Sequence, residues 1–158
     1  LPVLERPEVA SLFERHGVLS RVELQSRYEV YAEQYILAIE VEAKLALRMG
    51  RTQIYPAVNG ALGDLTASLM DQKSLGLTVD SSLAERIASL NQQLSAHCNS
   101  LEKAIANPPH GSLAHMKHCS EVLLPLMLQL RESADSLELL VDDERWPLPT
   151  YQEMLFIR

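Results

Sequence analysis

Four side chains of the kinds that bind zinc lie close together in the second half of the chain. They are His110, His115, His118 and Cys119. His115 and Cys119 are four residues apart, so on a helix both would project from one face and could in principle bind zinc. The spacing of the four residues matches no established zinc motif. We therefore interpret them as the polar, solvated first turn of a helix and predict no metal ligand in this chain.

Other catalytic arrangements find little support in the sequence. A di-iron site in a helical bundle needs Glu-x-x-His on two helices, and no glutamate here has a histidine three residues later. Gly60 and Gly63 lack the lysine and the preceding strand of a phosphate-binding loop. His97 and Cys98 are adjacent, so on a helix they point in different directions and cannot act as base and nucleophile. The sequence thus predicts no catalytic and no cofactor-binding residue.

A set of tyrosines is the remaining candidate for a binding surface. Tyr28, Tyr31 and Tyr35, followed by Ile39, recur at steps of three and four, as residues on one side of a helix do. A tyrosine buries its ring and keeps a polar tip, which suits a core or an interface better than a ligand platform. We take these four residues as candidate interface residues.

The tyrosines belong to the longest helical pattern in the chain, from Ser20 to Tyr55. It opens with a predicted capping box between Ser20 and Glu23. The segment 35–49 is apolar around most of its circumference, which predicts a helix that is buried on several sides. The apolar stripe consists of Leu24, Tyr28, Tyr31, Tyr35, Ile39, Ala43 and Ala46.

Pro56 interrupts this pattern. Proline has no N–H to donate and its ring collides with the carbonyl four residues earlier, so the sequence predicts a kinked helix that continues to about Ser74. The alternative is a tight turn at Asn59-Gly60 that folds the segment into a hairpin and gives a four-helix bundle.

Two more long helices follow. The first, about Leu83 to Ala106, opens with a predicted capping box from Ser82 to Glu85. The second is capped by Ser112, bends at Pro125, and has an apolar seam typical of bundles. The seam consists of Leu113, Met116, Ser120, Leu123, Met127, Leu130, Ala134, Leu137 and Val141.

A short final helix is predicted after a third capping box, Thr150 to Glu153. No segment shows the alternation of a strand. The predicted fold is therefore all-α, a bundle of long antiparallel helices around a long central helix kinked near Pro56.

The composition narrows the class of protein. The 158 residues suffice for one domain with a core, and the net charge of −7 without a basic run argues against binding to nucleic acid or a membrane. No apolar run is long enough to span a bilayer, and two cysteines inside predicted helices do not indicate an oxidising compartment. We expect a cytoplasmic protein, and the start at Leu1 rather than methionine suggests a fragment of a longer one.

Two stretches carry a resemblance to a known family. The first is Leu24 to Tyr35, with Glu42-Ala-Lys44 after it. The second is Leu140 to Phe156, with its Trp-Pro-Leu-Pro-Thr-Tyr sequence. Together they resemble the C-terminal region of type III glutamine synthetase, and the resemblance covers essentially the whole chain.

The resemblance implies a parent enzyme that joins glutamate and ammonia, using ATP and Mg or Mn, in a double-ring dodecamer. Its catalytic motifs would lie upstream and have no counterparts here. Residues 1–158 are therefore expected to form a single non-catalytic, C-terminal domain for packing, assembly or regulation. Its expected partners are the upstream catalytic domain and neighbouring subunits, in a homo-oligomer. A free-standing helical interaction module and a metal-binding bundle are the alternatives.

Helix lengths place the expected interface. A helix over 83–106 is roughly 36 Å long and would cover the long helix only back to about Met49. The turns that carry Tyr28, Tyr31, Tyr35 and Ile39 would then have few partners beyond the first short helix and the tail from Trp146. Such a face predicts docking to the catalytic region or a neighbouring subunit, and self-association of the isolated chain.

Overall fold

The structure, a computed structural model, describes residues 2–149 and 151–155. All regular structure in these residues is helical, as the sequence predicted. After a 3₁₀ turn (Pro2–Glu5) the helices are α1 (Pro7–Arg15), α2 (Arg21–Met49), α3 (Tyr55–Ser74), α4 (Ser82–Ala106), α5 (Ser112–His118), α6 (Leu124–Glu138) and α7 (Tyr151–Leu155). π-helical turns at Gly50–Ile54 and Cys119–Leu123 join α2 to α3 and α5 to α6.

The helix from Arg21 to Ser74, called the long helix below, runs for 54 residues without a break. It begins with the predicted capping box: the Ser20 hydroxyl accepts from the Glu23 N–H at 3.3 Å, and the Glu23 carboxylate accepts from the Ser20 N–H at 2.8 Å. The α-helix Tyr55–Ser74 passes through Asn59-Gly60. The alternative of a hairpin at that point is therefore wrong, because no polar loop separates the two halves.

Both prolines inside the bundle helices follow a π-helical turn. The Tyr55 N–H donates to the Gly50 carbonyl just before Pro56, and the Leu124 N–H donates to the Cys119 carbonyl just before Pro125. These bonds span five residues instead of four, so each turn holds one extra residue. The wider turn accommodates a ring that cannot donate and that would collide with a carbonyl of a regular helix. The interruption expected near Pro56 thus takes the form of a π-turn.

The long helix, α4 and the segment 112–138 form a three-helix bundle. Hydrogen bonds across it show that α4 runs antiparallel to both neighbours: they join Arg51 to Glu102, Asn59 to Asn91, His97 to Ser133 and Ala104 to His118. The third helix runs parallel to the long helix, since His115 meets Glu40 near one end and Arg145 meets Asp64 beyond the other.

The core lies along the axis of this bundle. Trp146 is 8% exposed and belongs to this core, and its neighbour Arg145 contacts Asp64 of α3. The tail from Trp146 was expected beside the tyrosines of α2, but it packs beside α3 instead. The largest fully buried side chains are Val58, Leu94, Cys98, Leu101, Cys119, Leu123 and Leu137. Both cysteines are free and belong to this core.

Three details of the last bundle helix differ from the prediction. Leu113, the first residue of the predicted seam, is 37% exposed. Ser120 is exposed, and its neighbour Cys119 takes the core position between Met116 and Leu123. Both residues fit a three-and-four spacing, and the π-turn places the apolar one inside. Ser112 is the first helical residue, preceded by Gly111 with φ 90°, and does not cap the helix.

The start of α4 also differs from the prediction. Ser81, not Ser82, is the N-cap residue, and no side chain closes a capping box. Instead the Asp80 carboxylate accepts from the Ser82 N–H at 2.9 Å, and the Ser81 hydroxyl donates to Glu85 at 2.6 Å. Asp80 thus accepts a hydrogen bond from one of the free N–H groups of the first turn, the role that the sequence predicted for Ser82. The third predicted capping box begins at Thr150, which lies outside the described residues.

Candidate docking surface on the long helix

The first part of α2 extends beyond α4 and takes part in a small second core, which it forms with the N-terminal turn and α5. Tyr28, Ala32 and Met116 are its buried residues, and Leu4 and Ile36 pack against it. Tyr28 is only 3% exposed. Its burial raises the pKa of its hydroxyl, and the nearby Glu5 carboxylate adds a smaller effect in the same direction. Its ring therefore fills the interior of the chain and is not presented to a partner.

The other three candidate interface residues are more accessible. Tyr31 is 45% exposed, whereas Tyr35 and Ile39 are half-buried and pack against the main core. Tyr35 also lines an open cleft of about 290 Å³ between the N-terminal turn and the last bundle helix. The other lining residues are Pro2, Leu113, Met116, Lys117 and Ser120. A mostly apolar cleft with one lysine at its edge can accept an apolar side chain of a docking partner.

A second apolar surface on α2 faces away from the core. Val30, Leu37, Val41 and Leu45 are 47%, 63%, 55% and 53% exposed. They recur at steps of seven, four and four, so they share one side of the helix, which we call the outer stripe. Leu37, Val41 and Leu45 belong to the segment 35–49, whose apolar residues around most of the circumference predicted a helix buried on several sides.

A charged cluster fixes α5 against α2. Glu40 approaches both Lys44 Nζ and His115 Nε2 at 3.0 Å, with one carboxylate oxygen to each. The hydrogen bond from Lys44, helped by the charges of Lys44 and His115, holds the pKa of the Glu40 carboxyl below its ordinary value against the opposing effect of burial. The cluster joins two helices next to the tyrosine-lined cleft.

The four residues considered for zinc are not brought together. His115 faces Glu40, His118 Nε2 lies 3.0 Å from the Ala104 carbonyl, and His110 is an exposed loop residue. Cys119 is fully buried, and burial raises the pKa of its thiol, which disfavours a thiolate ligand. Over residues 2–149 and 151–155, no group of three His, Cys, Asp or Glu side chains is placed to hold a metal ion.

Comparison with known proteins now identifies the family. Residues 1–73, from the N-terminal turn to the end of the long helix, match the family model described as the glutamine synthetase C-terminal domain. The chain carries a glutamine synthetase C-terminal domain. The resemblance expected from the sequence is therefore confirmed, and the match covers the helix that bears the tyrosines and the outer stripe.

Three glutamine synthetases align with nearly the whole chain. The type-3 glutamine synthetase of Dictyostelium discoideum is 31% identical over 93% of the chain. The glutamine synthetases of Butyrivibrio fibrisolvens and Bacteroides fragilis (strain YCH46) are 29% and 24% identical over 99% and 89% of it. The aligned region is only 21–23% of each relative, so the chain spans about a fifth of their length.

No solved structure matches the chain. Within the described part of the domain, every helix is too short or too polar to cross a membrane.

Proposed function

We propose that residues 1–158 form the C-terminal, non-catalytic assembly domain of a longer glutamine synthetase. The parent would ligate glutamate and ammonia with ATP, using Mg or Mn held by an upstream catalytic region, as a cytoplasmic homo-oligomer. The observation that carries the proposal is the alignment of almost the whole chain with about a fifth of three glutamine synthetases. The fold supports it, because the described bundle helices are joined by contacts such as Arg51 with Glu102 and Asn59 with Asn91.

The docking residues we propose are Tyr31, Tyr35 and Ile39, with the cleft beside Tyr35. Tyr28 supports this surface from inside the small second core. The surface lies on the part of α2 that α4 does not reach, so an upstream catalytic region or a neighbouring subunit can approach it. Tyr35 lines the mostly apolar cleft, and Tyr31, one helical turn away, is 45% exposed. Partly exposed tyrosines of this kind are typical of interfaces.

The first test is an activity assay. The purified chain, supplied with ATP, glutamate, hydroxylamine and Mg²⁺ or Mn²⁺, should form no γ-glutamyl hydroxamate above background. An intact glutamine synthetase serves as the positive control. Hydroxamate formation by the chain alone would overturn the non-catalytic assignment.

The second test is the reading frame that encodes the chain. A catalytic region continuous with Leu1 is expected upstream. A stop codon followed by a separate start just before Leu1 would instead favour the free-standing interaction module.

The third test addresses the docking surface. Co-purification of the chain with the upstream region from that reading frame should weaken when Tyr31 and Tyr35 are both changed to Ser. Tyr55→Ser is the matched control, since Tyr55 lies on the same long helix with 36% exposure. Equal co-purification of all three proteins would remove Tyr31 and Tyr35 from the interface.

A further inference from the structure

The outer stripe of α2 is complementary to a second copy of itself. Glu33, Leu37, Val41, Leu45 and Arg48 follow one another at steps of four, four, four and three. Such spacing places all five on one side of the helix. The surface therefore has three exposed apolar side chains in line between an acidic and a basic residue, and Val30 of the outer stripe lies about one turn beyond Glu33.

We propose that this stripe binds the same stripe of a second chain, with the two α2 helices antiparallel across a two-fold axis near Val41. This inference deepens the proposed assembly role by naming one partner, a second copy, and the surface that meets it. In that arrangement Leu37 lies opposite the partner's Leu45, and Val41 lies near the axis. Across a two-fold axis the Leu37–Leu45 contact occurs twice, whereas the contact of Val41 with its own copy at the axis occurs once.

The end charges select the antiparallel orientation. Within the described residues neither Glu33 nor Arg48 forms an ion pair with another side chain. Fifteen residues of helix separate them by about 22 Å, with the midpoint next to Val41. An antiparallel copy therefore brings Glu33 to the partner's Arg48 at both ends, whereas a parallel copy would oppose like charges. Charges at the edge of an interface contribute mainly to orientation and specificity.

Burial of the exposed apolar side chains is what favours association of two copies. Leu37, Val41 and Leu45 are each more than half exposed. Contiguous apolar groups on one face, with charges at the rim, are characteristic of protein–protein contacts. α2 is a regular α-helix from Arg21 to Met49, so the surface is already formed in the single chain and needs no rearrangement.

The test is sedimentation of the 158-residue chain from low to high micromolar concentration. Wild-type chain should form a dimer. Arg48→Glu and Glu33→Arg should each weaken it about tenfold or more, because each change removes two opposite-charge contacts and creates two like-charge ones. The double variant, Glu33→Arg with Arg48→Glu, should restore the dimer. Arg86→Glu, an identical charge change on α4, is the matched control and should have no effect.

A second variant probes the apolar part of the stripe. Val41→Ser should also weaken the dimer while leaving the thermal unfolding of the chain nearly unchanged, since Val41 is 55% exposed. Circular dichroism melts of every variant separate loss of association from loss of folding.

Several results would overturn the proposal. One is a chain that stays monomeric at all concentrations, and another is a dimer that ignores both Arg48→Glu and Val41→Ser. Failure of the double charge variant to restore association would refute the antiparallel pairing. In another outcome, an added upstream catalytic region would dissociate the dimer by binding the chain itself, and Val41→Ser would abolish that binding. This result would show that the stripe binds the catalytic region and not a second copy. The hydroxamate assay and the reading frame are unaffected by these results, so the proposed function fails or stands separately.

Discussion

The change Gly50→Ala tests how tightly the long helix packs at its π-turn. Gly50 is buried, and a Cβ added there would lie 2.9 Å from the Cys98 sulfur and 3.4 Å from Leu130 Cδ1. Its backbone is ordinary helix, with φ −55° and ψ −48°, so alanine is excluded by space and not by conformation. Gly63 on the same helix is the control, because a Cβ there would meet nothing within 4 Å.

Two opposing effects set the expected magnitude. Replacing glycine by alanine inside a helix stabilises by up to about 1 kcal/mol. At position 50 the methyl group must displace the Cys98 sulfur, and overpacking of this kind costs about 1–3 kcal/mol. Gly50→Ala should therefore lower the free energy of unfolding by up to about 2 kcal/mol, whereas Gly63→Ala should raise it by about 0.5–1 kcal/mol.

Urea unfolding followed by circular dichroism measures both values, at one protein concentration because association also contributes to stability. The change Cys98→Ala removes the sulfur, so Gly50→Ala made in that background should lose most of its cost, a coupling of at least about 1 kcal/mol. If Gly50→Ala stabilised the chain as much as Gly63→Ala does, the close contact between the long helix and α4 would be refuted.

Further predictions concern the core, acid stability and the thiols. Leu130→Ala should lower the free energy of unfolding, measured in urea, by about 2–5 kcal/mol, since Leu130 is 4% exposed. Met127→Ala should lower it less, because Met127 is half-buried. A loss below about 0.5 kcal/mol for Leu130→Ala would show that the seam is not buried. Because the pKa of Glu40 is lowered in the folded chain, this carboxylate stabilises the fold above the ordinary glutamate pKa, and the contribution is lost as pH falls through the folded pKa. The stability difference between wild type and Glu40→Gln, measured by unfolding at several pH values, should thus be present at neutral pH and shrink below about pH 4.3; a difference independent of pH would contradict this reasoning. Burial raises the pKa of Cys98 and Cys119, so a thiol reagent should label them only after unfolding, and rapid labelling of both in the native chain would be inconsistent with their burial.

Local signals predicted the helices well. The capping box at Ser20 and the seam from Leu123 to Leu137 depend on residues within one or two turns, and the structure contains both. Helix lengths also placed the end of α4 correctly, because Glu102 near its end meets Arg51 next to Met49. Rise per residue and antiparallel packing are enough for that inference.

Features that depend on tertiary packing were harder to predict. A three-and-four spacing admits both Cys119 and Ser120, and the π-turn that chooses between them has no periodicity of its own. Tyr28 looked like part of a docking face because the N-terminal turn and Met116, which bury it, come from distant parts of the chain. The outer stripe was recognisable as apolar, but sequence alone does not say which side of a helix its own chain will cover.

The two π-turns have a consequence for how related chains should be aligned. Each holds one residue more than a regular turn, and each directly precedes the dipeptide that contains its proline. A homologue without proline at position 56 could delete one residue from 50–54 and keep both flanking helices in phase. Proline and insertion should therefore be gained and lost together in evolution. A gapless alignment across a homologue that lacks both would shift every later core position by one residue.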